Sequence, residues 1–191
     1  MPARVAAAPV VHRFTRDEYY RMGEAGLFTD ERVELLDGEI ITMAPQNPPH
    51  AGITSRIAYA LMRLLGSTVS LRVQLPIVLN DWSEPEPDIA VCLPDPDDYE
   101  REHPRADQVL LVIEVAEASL FYDRSRKVAA YAGSGIPEYW IVNLVDRRIE
   151  ALSAPDPATR RYQTEKHAVA GDILQLPGGV LLAAADVLPR Y

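Results

Sequence analysis

The feature that most constrains the fold is the apolar run VLLVIEV, from Val109 to Val115, in which Glu114 is the one polar residue. The run is rich in β-branched side chains and lacks helical spacing of polar residues, so it predicts a central strand covered on both faces. An ionised carboxylate in an apolar interior is costly unless it is paired, protonated or bound to a metal. We therefore expect a partner opposite Glu114.

Length and composition indicate a single globular domain. The chain has 191 residues, of which 48% are hydrophobic and 25% are charged, as in ordinary soluble proteins. We expect residues 1–13 to form a flexible tail and residues 14–191 to form one domain. The single cysteine, Cys92, excludes an internal disulfide and a cysteine-based zinc site, which suits a reducing cytoplasm.

The charge balance limits the partners that the whole surface could attract. A net charge of -9 argues against a uniformly basic coat for nucleic acid, although a local basic face remains compatible with it. Much of the acidic excess lies in the Pro-rich stretch LPDPDDYEREHP, which is typical of a solvated loop. The N-terminal stretch VAAAPVV is too short to span a membrane, so we expect no membrane segment.

Local patterns predict a helix and a hairpin before the first long helix. Thr15 and Glu18 have the spacing of a capping box, which predicts a helix from near Arg16. In RVELLDGEIITM, the Asp-Gly pair predicts a tight turn between two strands. The stretch from Ala51 to Leu65 places its apolar residues on one helical stripe.

Further along the chain, the patterns predict strands and a second long helix. The stretches TVSLRVQLPIVL, PDIAVCL, VLLVIEV and EYWIVNL read as strands, and short extended pieces follow from Arg148 to Val169. Asp123 is expected to cap a helix that runs from Arg124 to about Ala132. The chain is therefore predicted to be an α/β protein.

Three residues in this region could form one site. Asp88 opens the predicted strand before that of Glu114, and strands adjacent in sequence are often adjacent in space. Lys127 lies about 40° from Tyr131 around the helix, on the flank of the face that we expect to cover the sheet. Two neighbouring carboxylates repel each other, and a divalent cation would remove that repulsion.

The order of these residues resembles the PD-(D/E)XK nuclease superfamily and, within it, the Uma-type branch of restriction endonucleases. The likeness covers roughly Phe14 to Asn143. It is carried by VELLDGEI, His50, PDIAV, VIEV, DRSRK and AYAGSGIPEYWIV. The resemblance implies a restriction-endonuclease-like core, with a mixed β-sheet flanked by helices, an N-terminal helix and hairpin, and a short C-terminal β extension.

The sequence departs from the superfamily pattern in two places. Ala116 stands where a lysine would complete E-X-K, and the resemblance to this branch gives the lysine's role to Lys127 on the following helix. The branch's LSPST-like turn is replaced by AEASL, which leaves the shape of this loop open.

The resemblance implies a nuclease that uses Mg²⁺, or Mn²⁺, to hydrolyse phosphodiester bonds, with DNA as the expected substrate. Asp88, Glu114 and the backbone carbonyl of Val115 would hold the cation, and one of its waters would become the nucleophile. Lys127 would orient that water or stabilise charge on the phosphate. Glu34 resembles the extra, auxiliary acidic residue that many superfamily members add to the metal site. Because cutting two strands favours two sites, we expect a homodimer.

Each of the central assignments has a structural alternative. Glu114 is also compatible with a structural ion pair to an arginine, and Asp88 with a turn or strand start after a proline. Lys127 has the pattern of a surface lysine on a helix flank, and Glu34 that of a solvent-facing hairpin residue.

Two further residues have weaker assignments. His50 fits a helix start or, alternatively, a phosphate contact. Arg56 fits a solvated helix face or, alternatively, contact with a phosphate backbone. A catalytically inactive nuclease fold that binds nucleic acid or a protein therefore stays open as the second function, and a two-carboxylate glycosidase is a distant third because it leaves the lysine unexplained.

Overall fold

The structure is a computed structural model that describes residues 10–190, so the predicted flexible tail lies mostly outside the described residues. Helix α1 (Arg16–Glu24) begins with the predicted capping box of Thr15 and Glu18. It is followed by a hairpin of strands β1 (Val33–Leu36) and β2 (Glu39–Thr42).

The hairpin turn forms at the predicted Asp-Gly pair. Asp37 and Gly38 have φ angles of 51° and 75°, as a type I′ turn requires at both central positions. A Cβ atom on Gly38 would lie 2.6 Å from the Cβ of Arg13, so this position also needs glycine for space.

Helix α2 (Pro48–Leu65) starts three residues before the predicted Ala51. Asn47 caps it, because its side chain accepts a hydrogen bond from the backbone N–H of His50. The predicted apolar stripe is confirmed, since Ile57, Leu61 and Leu65 are buried.

A six-stranded mixed sheet forms the centre of the molecule. Its strands are β3 (Ser70–Val73), β4 (Ile89–Cys92), β5 (Val109–Ala116), β6 (Glu138–Asn143), β7 (Arg148–Asp156) and β8 (Arg161–Ala168). They lie in sequence order across the sheet, and the β5–β6 pair is parallel whereas the other pairs are antiparallel. A parallel pair needs a crossover, and a helical segment supplies it.

This crossover, α3, consists of three consecutive pieces. They are α-helical Leu120–Tyr122, π-helical Asp123–Lys127 and α-helical Val128–Gly133. The prediction that Asp123 caps a helix starting at Arg124 is wrong, because Asp123 has helical φ and ψ angles of -65° and -41°. Leu120 and Tyr122 pack on the core, so tertiary burial begins the helix earlier than the local capping pattern indicates.

The two faces of β5 pack into different parts of the core, as its apolar run predicts. Ile113 and Val115 pack with α2 on one face, and Val112 packs with Tyr131 of α3 on the other. Glu114 therefore points to the α3 face, because side chains alternate along a strand.

The C-terminal part adds a small hairpin of β9 (Ile173–Gln175) and β10 (Leu181–Ala183). Short 3-10 turns occur at Gly66–Thr68, Ala106–Gln108, Pro177–Gly179 and Ala184–Asp186. The predicted fold class, a mixed sheet flanked by helices with a C-terminal β extension, is confirmed. Within residues 10–190, no helix is both long and apolar enough to cross a membrane.

Candidate active site

Asp88 and Glu114 lie side by side on two inner strands of the central sheet, just before β4 begins and near the C-terminal end of β5. The β4–β5 register pairs Ile89 with Ile113, which puts Asp88 opposite Glu114 on the face covered by α3. The backbone N–H of Asp88 donates to Glu114 Oε2 at 3.2 Å, and the N–H of Val115 donates to Asp88 Oδ2 at 2.8 Å. The sheet register thus fixes both carboxylates in one place.

The lysine reaches these carboxylates from α3. Lys127 Nζ donates to Glu114 Oε1 at 3.0 Å and to Glu34 Oε2 at 2.8 Å. Lys127 is 4% exposed and Glu34 is 2% exposed. The alternatives of a surface lysine and a solvent-facing glutamate are therefore wrong.

Two tyrosines and a backbone amide hold the glutamates in place. Tyr131 donates its hydroxyl to Glu114 Oε1 at 2.8 Å, and Tyr122 donates to Glu34 Oε1 at 3.2 Å. The N–H of Glu86 donates to Glu34 Oε2 at 3.1 Å. The sequence indicates that Tyr131 faces the sheet but does not reveal these contacts, because they depend on how α3 and the hairpin dock.

His50, at the start of α2, contacts the other carboxylate. Its Nε2 lies 3.0 Å from Asp88 Oδ2, and Gln74 Nε2 donates to Asp88 Oδ1 at 3.3 Å. Burial lowers the pKa of His50, but the hydrogen bond and charge of Asp88 outweigh burial and raise it. Arg56 is not brought to this site, because its guanidinium donates to the carbonyl of Leu188 at 2.7 Å.

Asp123 also lies in this cluster, where the sequence predicted only a helix cap. It is 4% exposed, and its Oδ2 is buried without a hydrogen-bond partner among the described residues. Burial raises the pKa of Asp123 to about 6. A hydrogen bond with Ser119 and the charge of Lys127 oppose the rise, whereas the negative charges of Asp88 and Glu34 add to it. No sequence pattern indicated that Asp123 belongs to the cluster, because its burial depends on the π-helical turn that it begins.

Carboxylates outnumber basic side chains around this site, and the pKa shifts reflect that excess of negative charge. Burial raises the pKa of Glu114; the Lys127 ammonium opposes the rise, and the charges of Asp88 and Asp123 add to it. Burial lowers the pKa of Lys127, but the charges of Glu114 and Glu34 raise it well above its usual value. Lys127 therefore stays an ammonium ion.

These groups line a cavity of about 380 Å³. The charged residues of its floor are Glu34, His50, Asp88, Glu114, Asp123 and Lys127. Its rim carries the ion pair Arg32–Glu86, at 2.9 Å, and a hydrogen bond from Asn47 to Glu117. One wall is apolar and is formed by Ile41, Met43, Ala44 and Pro45.

The donor chemistry of the cluster fits a hard divalent cation. Such ions prefer carboxylate and carbonyl oxygens, and the cavity floor offers four carboxylates against one lysine and one histidine. The orphaned Oδ2 of Asp123 is a further free acceptor. Within residues 10–190, no three His, Cys, Asp or Glu side chains already form a group that could hold a metal ion. In this arrangement Lys127 pairs with Glu114, and His50 pairs with Asp88.

Comparisons with known proteins agree with this architecture. A crystal structure of a protein described as "a putative nuclease belonging to DUF820", from Anabaena variabilis ATCC 29413, superposes with a TM-score of 0.68. The two chains are 14% identical, and the match covers 91% of this chain and 97% of that one, which shows a common fold.

No curated protein matches the chain. The model of the Uma2 family, described as "Putative restriction endonuclease", matches residues 16–185 and so includes the whole cluster around Lys127. The chain therefore belongs to the Uma2 family of the restriction-endonuclease-like nucleases.

Proposed function

We propose that this protein is a divalent-metal-dependent endonuclease that hydrolyses phosphodiester bonds in DNA, with Mg²⁺ as the cation and Mn²⁺ as a substitute. The observation that carries the proposal is the buried Lys127 ammonium between Glu34 and Glu114, beside Asp88. A purely structural pair would not need a second and a third carboxylate at a cavity floor. Membership of the nuclease family supports the same reaction class.

Asp88, Glu114 and the backbone carbonyl of Val115 are the proposed ligands of the cation. When bound, the cation supplies Lewis acidity, which lowers the pKa of a water molecule and polarises a phosphate oxygen. Tyr131 orients Glu114, and the N–H of Val115 orients Asp88, so both carboxylates are held before any ligand arrives.

Lys127 is the proposed catalytic side chain, and it supplies a positive charge in addition to that of the metal ion. Its Nζ faces the cavity while Glu34 fixes it from one side, so Glu34 acts as the auxiliary acidic residue that positions the ammonium. A fixed and buried positive charge beside the cavity stabilises the charge that develops on a phosphate during hydrolysis. The same ammonium can orient the attacking water through a hydrogen bond.

His50 is the proposed phosphate contact of the site. It lines the cavity and carries a raised pKa, so its protonated ring would place a positive charge beside a bound phosphate. A backbone contact by Arg56 would lie outside the cavity, because its guanidinium is bound to Leu188.

We also propose that the protein acts as a homodimer in the cytoplasm. Two copies would present two sites to the two strands of a duplex. Cys92 is a buried free thiol, which is compatible with a reducing compartment. Sedimentation of the purified protein tests the dimer directly.

A second candidate function is a catalytically inactive nuclease fold that binds nucleic acid or a protein. It is favoured by the pairing of Glu114 with Lys127 and of Asp88 with His50. It is also favoured by the absence, within residues 10–190, of a preformed group of three metal ligands. The net charge of -9 also disfavours extensive contact with phosphates.

A nuclease assay separates the two candidates. Plasmid and single-stranded DNA are incubated with Mg²⁺ or Mn²⁺ and wild type, Asp88→Asn, Glu114→Gln or Lys127→Met, with Asp107→Asn as a control on the exposed surface. We expect Asp88→Asn and Glu114→Gln to abolish cleavage. Lys127→Met should slow cleavage while cation affinity, measured by calorimetry, is kept or increased, because a nearby positive charge is removed.

Thermal melts accompany each assay, because Lys127→Met leaves two buried carboxylates without their cation. A well-folded wild-type protein that cuts neither substrate with either metal would favour the binding protein over the nuclease.

A further inference from the structure

Asp123 is a buried carboxylate that the proposed reaction has not used so far. It is 4% exposed, and its Oδ2 has no hydrogen-bond partner among the described residues. Buried carboxylate oxygens are normally satisfied, so an orphaned one calls for a missing partner. Asp123 lines the same cavity as Asp88 and Glu114, which indicates where that partner would lie.

The backbone places Asp123 and Lys127 together. They are the first and last residues of the π-helical turn, and both are buried, whereas the three residues between them are not. Turns of this kind are rare and occur often at functional sites. The hydroxyl of Tyr139 donates to the backbone carbonyl of Asp123 at 3.3 Å, which ties the first residue of the turn to β6.

The charge of the cluster points to the class of the missing partner. Six carboxylates line the cavity, Asp123 among them, whereas its basic residues are Arg32, His50 and Lys127. Lys127 donates to Glu34 and Glu114, and His50 contacts Asp88, so neither makes a hydrogen bond with Asp123 Oδ2. A divalent cation would satisfy this oxygen and offset the excess negative charge.

We propose that Asp123 is a further carboxylate ligand of the divalent cation, in addition to Asp88 and Glu114. This inference rests on the proposed metal-dependent function and extends its ligand set to the π-helical turn. Asp123 then has the same partner as the strand carboxylates, while Lys127, four residues later, faces the substrate.

Calorimetry of the metal-free protein with Mg²⁺ and with Mn²⁺ tests this ligand role without any cleavage. Wild type is compared with Asp123→Asn, with Asp88→Asn and with the exposed control Asp107→Asn. We expect Asp123→Asn to weaken cation binding about 10- to 100-fold, because a neutral amide replaces a charged ligand. Asp107→Asn should bind like wild type.

Thermal melts in EDTA provide a second readout. Asp123→Asn should melt at or above the wild-type temperature, because it removes a buried negative charge that lies near those of Asp88 and Glu34. Added Mg²⁺ should then raise its melting temperature less than that of wild type. If Asp123→Asn fails to fold, Asp123→Ser is used in both measurements, since serine also lacks the carboxylate.

The outcomes separate this inference from the proposed function. If Asp88→Asn loses the cation while Asp123→Asn binds it within twofold of wild type, about the error of such a comparison, the ligand role is overturned and the nuclease stands. If wild type binds no divalent cation, both are overturned. If Asp123→Asn loses the cation but wild type cuts no nucleic acid, Asp123 is a ligand and the nuclease proposal fails.

Discussion

Glu114 and Glu150 are two buried glutamates on the same sheet, in opposite electrostatic surroundings. The register pairs Ile141 of β6 with Glu114 on one side and with Glu150 on the other, so the two carboxylates flank one residue. Both are almost fully buried. The π-helical turn of α3 supplies a cation to each, Lys127 to Glu114 and Arg124 to Glu150.

Glu150 is surrounded by donors. It accepts from Arg124 Nε at 2.8 Å, from Asn143 Nδ2 at 2.8 Å and from Arg148 Nε at 3.1 Å. Burial alone raises the pKa of Glu150, but these hydrogen bonds outweigh it and lower the pKa to about 2. Glu150 thus forms a structural ion pair with arginine. This is the kind of pair that the sequence left open as an alternative role for Glu114.

Glu114 shares its single lysine with Glu34 and has Asp88 and Asp123 as neighbours. Its pKa is raised where that of Glu150 is lowered. Burial is common to the two residues, so burial alone does not distinguish the proposed catalytic carboxylate from the structural one. The difference lies in the number of cations available to each carboxylate.

The largest expected difference between the two glutamates is in catalysis. Glu114→Gln should reduce Mg²⁺-dependent cleavage at least about 1000-fold, or about 4 kcal/mol in activation free energy. Glu150→Gln should retain the wild-type rate per folded molecule, because Glu150 does not line the cavity around Lys127. Rates on plasmid DNA, corrected for the folded fraction, measure both, and equal losses would remove the distinction.

The next largest effect is on stability, where we expect Glu150→Gln to be more harmful than Glu114→Gln. Glu150→Gln should lower the free energy of unfolding by about 2 kcal/mol, because it removes the charged acceptor of hydrogen bonds from Arg124 and Arg148. Glu114→Gln should cost less in EDTA, since it relieves repulsion from Asp88 and Asp123. Urea denaturation at pH 7 gives both values, and a larger loss for Glu114→Gln would contradict the comparison.

A pH series sharpens the same contrast. Because the pKa of Glu150 is lowered from 4.5 to about 2, its contribution to stability is present above pH 4.5 and is lost as the pH falls towards 2. Wild type should lose about 2 kcal/mol more than Glu150→Gln across this window. Denaturation at pH 2.5 to 6 measures the difference, and parallel curves would show that Glu150 is not stabilised as an anion.

The smallest effect should come from removing one of the two arginines. Arg148→Gln should cost less than about 1 kcal/mol, because Arg124 and Asn143 still bind Glu150 and the Arg148 side chain is 30% exposed. Thermal melts are sensitive enough to detect a loss of this size. The control is Arg147→Gln, because Arg147 is a neighbouring arginine that is exposed. A loss as large as that of Glu150→Gln would show that the ion pair depends on both arginines.

Local chemistry made much of this fold predictable. The capping box of α1, the Asp-Gly turn and the apolar run of β5 depend on neighbouring residues, and all three appear as predicted. The pairing of Asp88 with Glu114 follows from sheet adjacency, which is also a local tendency.

The contacts that decide the roles of the side chains were harder to predict from the sequence. The capping pattern at Asp123 is genuine in the sequence, but packing of Leu120 and Tyr122 extends the helix past it. The hydrogen bond from Tyr131 to Glu114 and the second carboxylate on Lys127 join segments far apart in the chain. No periodicity encodes the docking of a helix on a sheet at the precision of a hydrogen bond.

The position of Lys127 on α3, and not on β5, makes the proposed activity depend on the docking of this helix. In an E-X-K arrangement, one strand carries both residues, whereas Lys127 comes from a helix that must dock on the sheet before Nζ meets Glu114 and Glu34. Under the proposed function, a newly made chain has no cutting ability until α3 is in place. Local opening of α3 would then separate Lys127 from Glu114 and Glu34, and would stop cleavage while Asp88 and Glu114 stay together on the sheet.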